Sequence, residues 1–176
     1  MDIFIEYIVK RQRGMKENVI TAAIILSVPT LIFLALMMMT TALAPFAFLA
    51  AVGVLVLAYF LIVRMNVEFE YIITNDEMDI DKITAKKTRK RIITIDLKKV
   101  DLISSVNNRD FKSELESPRT NIIWANSNSA GNTYFINFTK DGQTYRVFID
   151  ANEKMLEAMK VAAPRKVHTL RKRALT

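Results

Sequence analysis

The sequence of 176 residues contains no cysteine, a single histidine and only four glycines. This composition argues against a zinc site built from cysteine and histidine, because His168 is the one residue of either type. Glycine-rich phosphate loops, nucleophile elbows and kinase-type motifs are also missing. Asp76, Asp79 and Asp81 resemble part of a calcium loop but lack its glycine and its distant glutamate. These absences predict a protein with no metal, no cofactor and no catalytic residues.

Charged side chains are missing from Asn18 to Val63, a run of 46 residues without Asp, Glu, Lys, Arg or His. One helix of that length would extend roughly 69 Å, whereas the hydrocarbon core of a bilayer is about 30 Å thick. Two spans joined by a tight turn fit that thickness. We place the spans at Val19–Met39 and Leu43–Val63, with Thr40–Pro45 as the turn, because proline is tolerated in the first turn of a helix.

The sequence also offers two other interpretations of this apolar stretch. The sequence "ALA" at residues 42–44 resembles a signal-peptide cleavage site, and cations precede the first span. However, the apolar run is longer than the ~7–15 residues of a signal-peptide core, and a second span follows directly. Pro45, immediately after the site, should also block cleavage. The second alternative is a buried helical hairpin in a soluble protein.

The cations that flank the two spans predict their orientation. Lys10, Arg11, Arg13 and Lys16 precede the first span, Arg64 ends the second, and the turn between the spans is uncharged. By the positive-inside rule, both termini are predicted to be cytoplasmic, which makes the protein a multi-pass protein of the plasma membrane.

Residues 1–17 form a separate segment in this interpretation. Ile3, Phe4, Tyr7 and Ile8 recur at helical spacing, which predicts a short amphipathic helix on the membrane surface. A plain cytoplasmic extension of the first span explains the same pattern equally well. The two-span hairpin itself is assigned to residues 18–64.

After Arg64 the apolar residues recur at every second position, which indicates β-strands. Val67, Phe69, Tyr71 and Ile73 are predicted to point to one side of the strand, and Glu68 and Glu70 to the other. A closing helix is predicted from a capping box of Asp150 and Glu153, with Pro164 after its end. Trp124 and the strand aromatics are assigned to the core. The predicted strands are 67–74, 78–84, 91–96, 100–106 and a meander of 121–127, 133–139 and 144–150.

The predicted fold is therefore α+β: a transmembrane helical hairpin, then a small antiparallel β-domain over residues 66–163 that a C-terminal helix closes. The stretch "YIITNDEMDIDKITAKKTRKRIITIDLKKVDLI" (71–103) resembles the first strands of bacterial pleckstrin-homology-like (PH-like) domains. The chain as a whole is similar to an uncharacterised family of small two-span proteins of Gram-positive bacteria that carry such a domain on the cytoplasmic side. This resemblance implies a PH-like fold and supplies no catalytic residues.

The sequence "KKTRKR" (86–91) places five cations in six positions of this region. PH-like domains that bind phosphorylated lipids often carry cations at this turn, which suggests an anionic-lipid site. Lys87, Arg89 and Arg91 would share one face of an extended strand and could bind phosphate. The alternative is a solvated hairpin end, with Asp79 and Asp81 opposite the cations. The candidate lipid-contacting residues are Lys86, Lys87, Arg89, Lys90 and Arg91.

The net charge of +7 is concentrated in the C-terminal tail. Residues 64–159 carry 15 cations and 15 carboxylates, whereas residues 160–176 carry six cations and no carboxylate. A neutral domain argues against nucleic-acid binding. The basic tail, residues 164–176, is predicted to lie against the anionic leaflet, and His168 within it to be solvated. The predicted membrane-contacting residues of the tail are Arg165, Lys166, Arg171, Lys172 and Arg173.

These features predict a membrane-anchored, non-enzymatic cytoplasmic module that binds a protein partner. One alternative is an anionic-lipid sensor that uses the turn Lys86–Arg91. Another is an accessory subunit of a membrane enzyme or transporter, which a buried and perturbed Glu68 or Glu70 in a cleft would favour. Small residues spaced by four, such as Ala23 and Ser27, allow either tight hairpin packing or a homo-oligomer.

Overall fold

The computed structural model describes residues 3–129 and 131–169. The chain divides into two compact units. The hairpin unit comprises residues 13–67 together with the short segment 84–88. The β-domain comprises the described residues before and after these segments.

The hairpin unit contains the two apolar helices. Helix α1 covers Met15–Met37, a short 3-10 turn covers Met38–Thr40, and α2 covers Ala44–Arg64. Both are long and apolar enough to cross a membrane, with mean hydropathies of 2.6 and 2.8. Pro45 lies in the first turn of α2, as predicted. Ala35 and Ala47 are buried where the helices meet, because small side chains let two helix backbones approach closely.

The β-domain contains nine strands in two sheets. One sheet has the order β1-β2-β3-β4, and the other has the order β6-β8-β7-β5-β9. The strands are β1 (Phe4–Lys10), β2 (Val67–Thr74), β3 (Glu77–Thr84), β4 (Thr88–Asp96), β5 (Val100–Ser105), β6 (Asn121–Trp124), β7 (Thr133–Lys140), β8 (Gln143–Asp150) and β9 (Val167–His168).

The amphipathic helix predicted at the N-terminus is wrong, because residues 4–10 form β1. This strand pairs with β2 in antiparallel register, with Tyr7 opposite Tyr71. Val9 is buried, while Phe4 and Ile8 on the opposite face are exposed. Burial thus follows the two-residue period of a strand. Residues spaced by four lie on the same side of both a helix and a strand, so this spacing alone did not distinguish the two.

The strands after the hairpin agree with the predicted antiparallel β-domain, with one difference in connectivity. Strand β6 does not continue a meander, because it lies beside β8 and runs parallel to it, with Asn121 opposite Tyr145. Strands β7 and β8 form the predicted hairpin through the turn at Asp141 and Gly142, both of which have positive φ. Two parallel strands cannot be joined by a tight turn. The chain runs from β6 to β8 through the segment after β6 and then through β7.

Between the two sheets lies a core of aliphatic and aromatic side chains. Phe69, Tyr71 and Ile73 of β2 are buried, as their alternation predicted. The Tyr71 hydroxyl donates to the Ala125 carbonyl and accepts from the Asp150 N–H at 3.2 Å. Because these contacts join β2 to the second sheet, Tyr71 fixes the two sheets against each other.

Helix α4 (Glu153–Ala162) closes the domain with Met155, Leu156 and Met159 buried. Its N-cap is Asn152, whose side chain accepts from the Met155 N–H at 2.8 Å. The predicted cap, Asp150, instead lies in the core. Its carboxylate accepts from the Ser127 N–H and the Thr133 hydroxyl, each at 2.7 Å. Asn is as good a cap as Asp, so the sequence allowed either position.

The polar segment 107–120, predicted as a loop, contains a 3-10 turn (Arg109–Phe111) and the short helix α3 (Lys112–Glu116). Phe111 and Leu115 from this segment pack on the outer face of the second sheet. Arg146 of β8, which is 3% exposed, donates to the backbone carbonyls of Glu114, Leu115 and Ser117. A buried guanidinium therefore holds the C-terminal end of α3 against the sheet.

Candidate functional site

The predicted lipid-binding residues lie at the end of the β3–β4 hairpin. Lys86 and Lys87 are in the three-residue turn 85–87, while Arg89, Lys90 and Arg91 are on β4. All five side chains are exposed. The arrangement was predicted as a group of cations on a turn and strand, but the structure divides the group according to the partners of each side chain.

The two arginines are neutralised by carboxylates of neighbouring strands. The Arg89 guanidinium lies 2.7 Å from Glu70 of β2. Arg91 lies 2.6 Å from Asp79 and also pairs with Asp81, both on β3. The hydrogen bond from Arg91 to Asp81 is the main cause of the raised Arg91 pKa. The interpretation of this stretch as a hairpin end opposed by Asp79 and Asp81 fits Arg91. For Arg89 the partner is Glu70, which that interpretation did not include.

Glu70, predicted to lie on the face opposite Phe69 and Tyr71, is fully buried. One carboxylate oxygen accepts from Arg89, and the other has no hydrogen-bond partner among the described residues. Burial raises the Glu70 pKa, and the nearby Glu6 and Asp81 add to the increase, whereas Arg89 opposes it. A buried acid with a raised pKa is a frequent feature of functional sites, but ion-pair networks produce it as well.

The lysines have no such partners. Within the residues that the structure describes, Lys86, Lys87 and Lys90 form no ion pair. The turn that carries Lys86 and Lys87 belongs to the hairpin unit. The Ala85 N–H donates to the backbone carbonyl of Asn66 at 2.9 Å, two residues after the end of α2. These two lysines are therefore held at the end of an apolar helix and remain available to an anion.

A cleft of about 420 Å³ opens elsewhere in the β-domain, between the end of β4 and the β7–β8 turn. Its lining mixes both charges: Lys99 is paired with Asp96 at 2.9 Å, and Lys140 lies beside Asp141. The hydrogen bond from Lys99 lowers the pKa of Asp96. Paired charges of this kind favour neither an anionic nor a cationic ligand, so the cleft indicates no ligand class.

The described residues contain no group of three or more His, Asp or Glu side chains that could hold a metal ion. Asp76 pairs with Lys98, and Asp79 and Asp81 pair with Arg91, so the aspartates that resembled a calcium loop have cationic partners. The histidine that was expected to be solvated is only partly so. His168 is half-buried on β9, with its ring centroid 4.4 Å from that of Phe111.

The tail is divided by the end of the described region. Arg165 and Lys166 are exposed in a turn between α4 and β9, where the Lys166 carbonyl accepts from the Ile103 N–H at 2.8 Å. Residues 167–168 then add a short parallel strand beside β5. The remaining predicted contact residues, Arg171, Lys172 and Arg173, lie outside the described residues. Membrane contact by the tail stays a prediction.

One surface feature was missed from the sequence. Trp124 was assigned to the core, but it is 61% exposed at the edge of the second sheet. Its ring stacks on Phe148 with the centroids 4.0 Å apart, and Ile122, two residues earlier, is also exposed. The sequence showed that Ile122 and Trp124 lie on the same face of a strand. It did not show that this face is exposed to solvent.

Comparison with known proteins gives a family and no detailed precedent. No curated protein and no solved structure matches the chain. A family model described as a bacterial PH-like domain matches residues 1–169, which include β1, both apolar helices and the β-domain. The match agrees with the resemblance seen in residues 71–103 and with the two-sheet fold closed by a helix. The chain belongs to this family of bacterial PH-like domain proteins (DUF6106).

Proposed function

We propose that the protein is a membrane-anchored, non-enzymatic interaction module that binds a protein partner at the cytoplasmic face of the plasma membrane. The partner contributes an extended segment that lies along the free edge of β6. The apolar helices anchor the module, and the PH-like β-domain carries the binding surface.

The anchoring is supported by the way the first sheet is assembled. Strand β1 precedes α1, β2 follows α2, and the two strands pair along their length. Both ends of the hairpin therefore lead to one sheet, which requires them to emerge on the same side of a membrane. Cleavage of a signal peptide after Ala44 would remove β1 from the sheet. Cations before α1 and after α2 favour the cytoplasmic side.

The observation that carries partner binding is the exposed edge of β6. Among the described strands, β6 pairs only with β8, so its other edge is free. Ile122 and Trp124 are 50% and 61% exposed at alternate positions of this short strand. A free strand edge offers backbone N–H and C=O groups to an incoming strand, and exposed side chains at alternate positions provide specificity.

Trp124 is suited to bind an apolar side chain. Its ring is nearly parallel to that of the buried Phe148, with an interplanar angle of 5°, so the indole is supported on one face and open on the other. Tryptophan contributes large contact area at low cost in side-chain entropy and is enriched at binding hot spots. We therefore expect the partner segment to place an apolar residue against Trp124.

Photo-crosslinking in cells of the source bacterium tests this proposal. A photo-reactive amino acid replaces Ile122 in the full-length chain, and Val161, which is 70% exposed on α4, is the matched control position. We expect a discrete protein adduct from position 122 that Trp124→Ser reduces at least fivefold, and no such adduct from position 161.

The outcomes distinguish the possible partners. An adduct with another copy of this chain would indicate a homo-oligomer, and an adduct with a membrane enzyme or transporter would indicate an accessory subunit. Equal adduct yields at positions 122 and 161, or a yield at 122 unaffected by Trp124→Ser, would overturn partner binding at β6.

A second candidate function is contact with anionic lipid, and a specific observation favours it. Arg89 and Arg91 are paired with carboxylates, but Lys86 and Lys87 are exposed without ion-pair partners in the described structure. Their turn is hydrogen-bonded to Asn66, two residues after the end of α2. Vesicle-bound full-length chain would then lose its preference for anionic lipid when both lysines are replaced by glutamate. An unchanged preference would contradict this function.

A further inference from the structure

Five cations converge at one end of the hairpin unit. Arg13 precedes α1, Lys16 lies in its first turn, Arg64 ends α2, and Lys86 and Lys87 lie on the β3–β4 turn. The helices run antiparallel, and the Thr21 hydroxyl near the start of α1 lies 3.6 Å from the Met65 sulfur after α2. The first turn of α1 therefore lies beside the last turn of α2, and the cations from both helices share one end.

Asn66 joins the three segments that carry these cations. Its side-chain oxygen accepts from the Arg13 guanidinium at 2.7 Å, and its backbone carbonyl accepts from the Ala85 N–H at 2.9 Å. Its own N–H donates to Val63 of α2 at 3.1 Å. One residue thus fixes the segment before α1, the end of α2 and the basic turn relative to one another.

The turn holds Ala85 and Lys86 in an unfavourable backbone conformation. Ala85 and Lys86 both have a φ of 56°, in the left-handed region. Two successive residues in this region strongly favour Asn and Gly, because other residues crowd Cβ against the backbone. Strained residues cluster at functional sites, where the surrounding structure maintains them. Here the Ala85–Asn66 hydrogen bond maintains the strained turn and keeps lysine at a position that suits glycine.

The charge of this cluster is not neutralised. The hairpin unit contains these five cations and a single carboxylate, Glu17. In the described part of the chain, Lys16, Arg64, Lys86 and Lys87 form no ion pair, in contrast to Arg89 and Arg91. An anionic group that reached this end of the hairpin would encounter several cations at once.

We propose that Arg13, Lys16, Arg64, Lys86 and Lys87, with Asn66 as their support, form a binding site for the phosphate group of an anionic phospholipid headgroup. The site lies where an apolar helix ends, and a helix that spans a bilayer ends near the lipid phosphates. This inference rests on the anionic-lipid function proposed above and extends it to a site made of three chain segments. It excludes the paired residues Arg89 and Arg91.

The test uses the full-length chain in mild detergent and native mass spectrometry with added phosphatidylglycerol or phosphatidylcholine. We expect phosphatidylglycerol to bind in preference to phosphatidylcholine. The double substitution Lys86→Glu with Lys87→Glu should weaken phosphatidylglycerol binding at least tenfold, because each lost lysine contact costs roughly fivefold in affinity. The control is Lys82→Glu with Lys140→Glu. It makes the same charge change at two exposed lysines of β3 and β7 and should have no comparable effect.

Asn66→Asp separates the three-segment site from simple contact by the turn. A carboxylate at position 66 would pair with Arg13 and reduce the positive charge without removing a cation, so we expect about fivefold weaker phosphatidylglycerol binding. Lys86→Gly removes one cation and relieves the strained turn, so it should weaken lipid binding while raising the stability of the folded chain.

Each result has a defined meaning. If the lysine pair matters and Asn66→Asp does not, lipid contact by the turn stands and the three-segment site is wrong. If both glutamate pairs weaken binding equally, or phosphatidylglycerol shows no preference, both proposals fail. If glycerol phosphate alone competes at millimolar concentration, the site binds free phosphate compounds and the assignment to a lipid is overturned.

Discussion

At the scale of single residues, Arg146 shows how a buried cation can be satisfied without a carboxylate. Its guanidinium donates to three carbonyls at the end of α3 and to the Asn137 side chain at 3.0 Å, and it lies 5.8 Å from the centre of the Phe135 ring. Burial lowers the Arg146 pKa, and the nearby Arg119 adds to this. The carbonyls need donors as much as Arg146 needs acceptors, because a helix end leaves its last carbonyls without partners.

Replacement of this side chain should be costly. We expect Arg146→Met to lower the free energy of unfolding of the β-domain by about 3 kcal/mol, because the carbonyls at the end of α3 and the buried Asn137 oxygen lose their donors. The measurement is urea unfolding of the full-length chain in detergent, followed by the fluorescence of Trp124, the single tryptophan. Lys140→Met, at an exposed cation of β7, should change the unfolding free energy by less than about 0.5 kcal/mol. Equal effects of the two changes would contradict this role.

At the scale of secondary structure, β1 is the element whose assignment has the largest consequence. As a strand it covers β2 and places Ile5, Tyr7 and Val9 towards the domain, whereas a membrane-surface helix would expose a different set of residues. A fragment that begins at residue 66 would lack β1 and leave β2 as a free edge. Binding measurements on the domain therefore need the N-terminal segment.

Two neighbouring substitutions distinguish a strand from a helix. Val9→Asp should lower the free energy of unfolding by about 3 kcal/mol, because it places a charge at a position that is 8% exposed. Ile8→Asp, at the adjacent exposed position, should cost less than about 1 kcal/mol. Thermal unfolding of the two variants, followed by Trp124 fluorescence, gives the comparison. A larger loss for Ile8→Asp would indicate that residues 4–10 do not form this strand in solution.

At the scale of the whole molecule, the pairing of β1 with β2 constrains the path of the chain through a membrane. The hairpin leaves the β-domain after β1 and returns to it at β2, so the number of crossings must be even. This constraint does not depend on flanking charge, which only selects the side. The absence of cysteine makes the topology simple to measure, because any introduced thiol is the single reactive one.

We therefore predict the labelling pattern of three single-cysteine variants with a membrane-impermeant thiol reagent. Thr41→Cys in the hairpin turn should react in intact cells. Lys87→Cys and Lys140→Cys, both at exposed positions, should react only after the membrane is permeabilised. The reversed pattern would place the β-domain outside the cell, and a mature chain that lacks residues 1–44 would identify α1 as a signal peptide.

Most of the fold followed from local sequence patterns. The uncharged run from Asn18 to Val63 determined the two apolar helices, because length and hydropathy suffice to define such a segment. The two-residue alternation in β2 and β3 determined the strands and the core positions Phe69, Tyr71 and Ile73. The resemblance in residues 71–103 identified the PH-like fold that the family match establishes.

The candidate sites followed less completely. Lys86 and Lys87 were singled out because a run of cations is visible in the sequence, but Arg89 and Arg91 were grouped with them although carboxylates neutralise both. Trp124 was assigned to the wrong environment and the burial of Glu70 was not predicted, because alternation separates two faces of a strand without stating what covers each face.

The sequence by itself determined which segments are apolar helices, which are strands and where uncompensated charge accumulates, since these properties depend on neighbouring residues. Only the tertiary structure decided that β1 pairs with β2, although the two helices separate these strands in the sequence. It also decided that Arg146 supports α3 and that Asn66 brings Arg13 together with the basic turn. These contacts connect residues that are distant in the chain. Their partners are selected by sheet pairing and by the need to satisfy buried polar groups, and no local pattern encodes either choice.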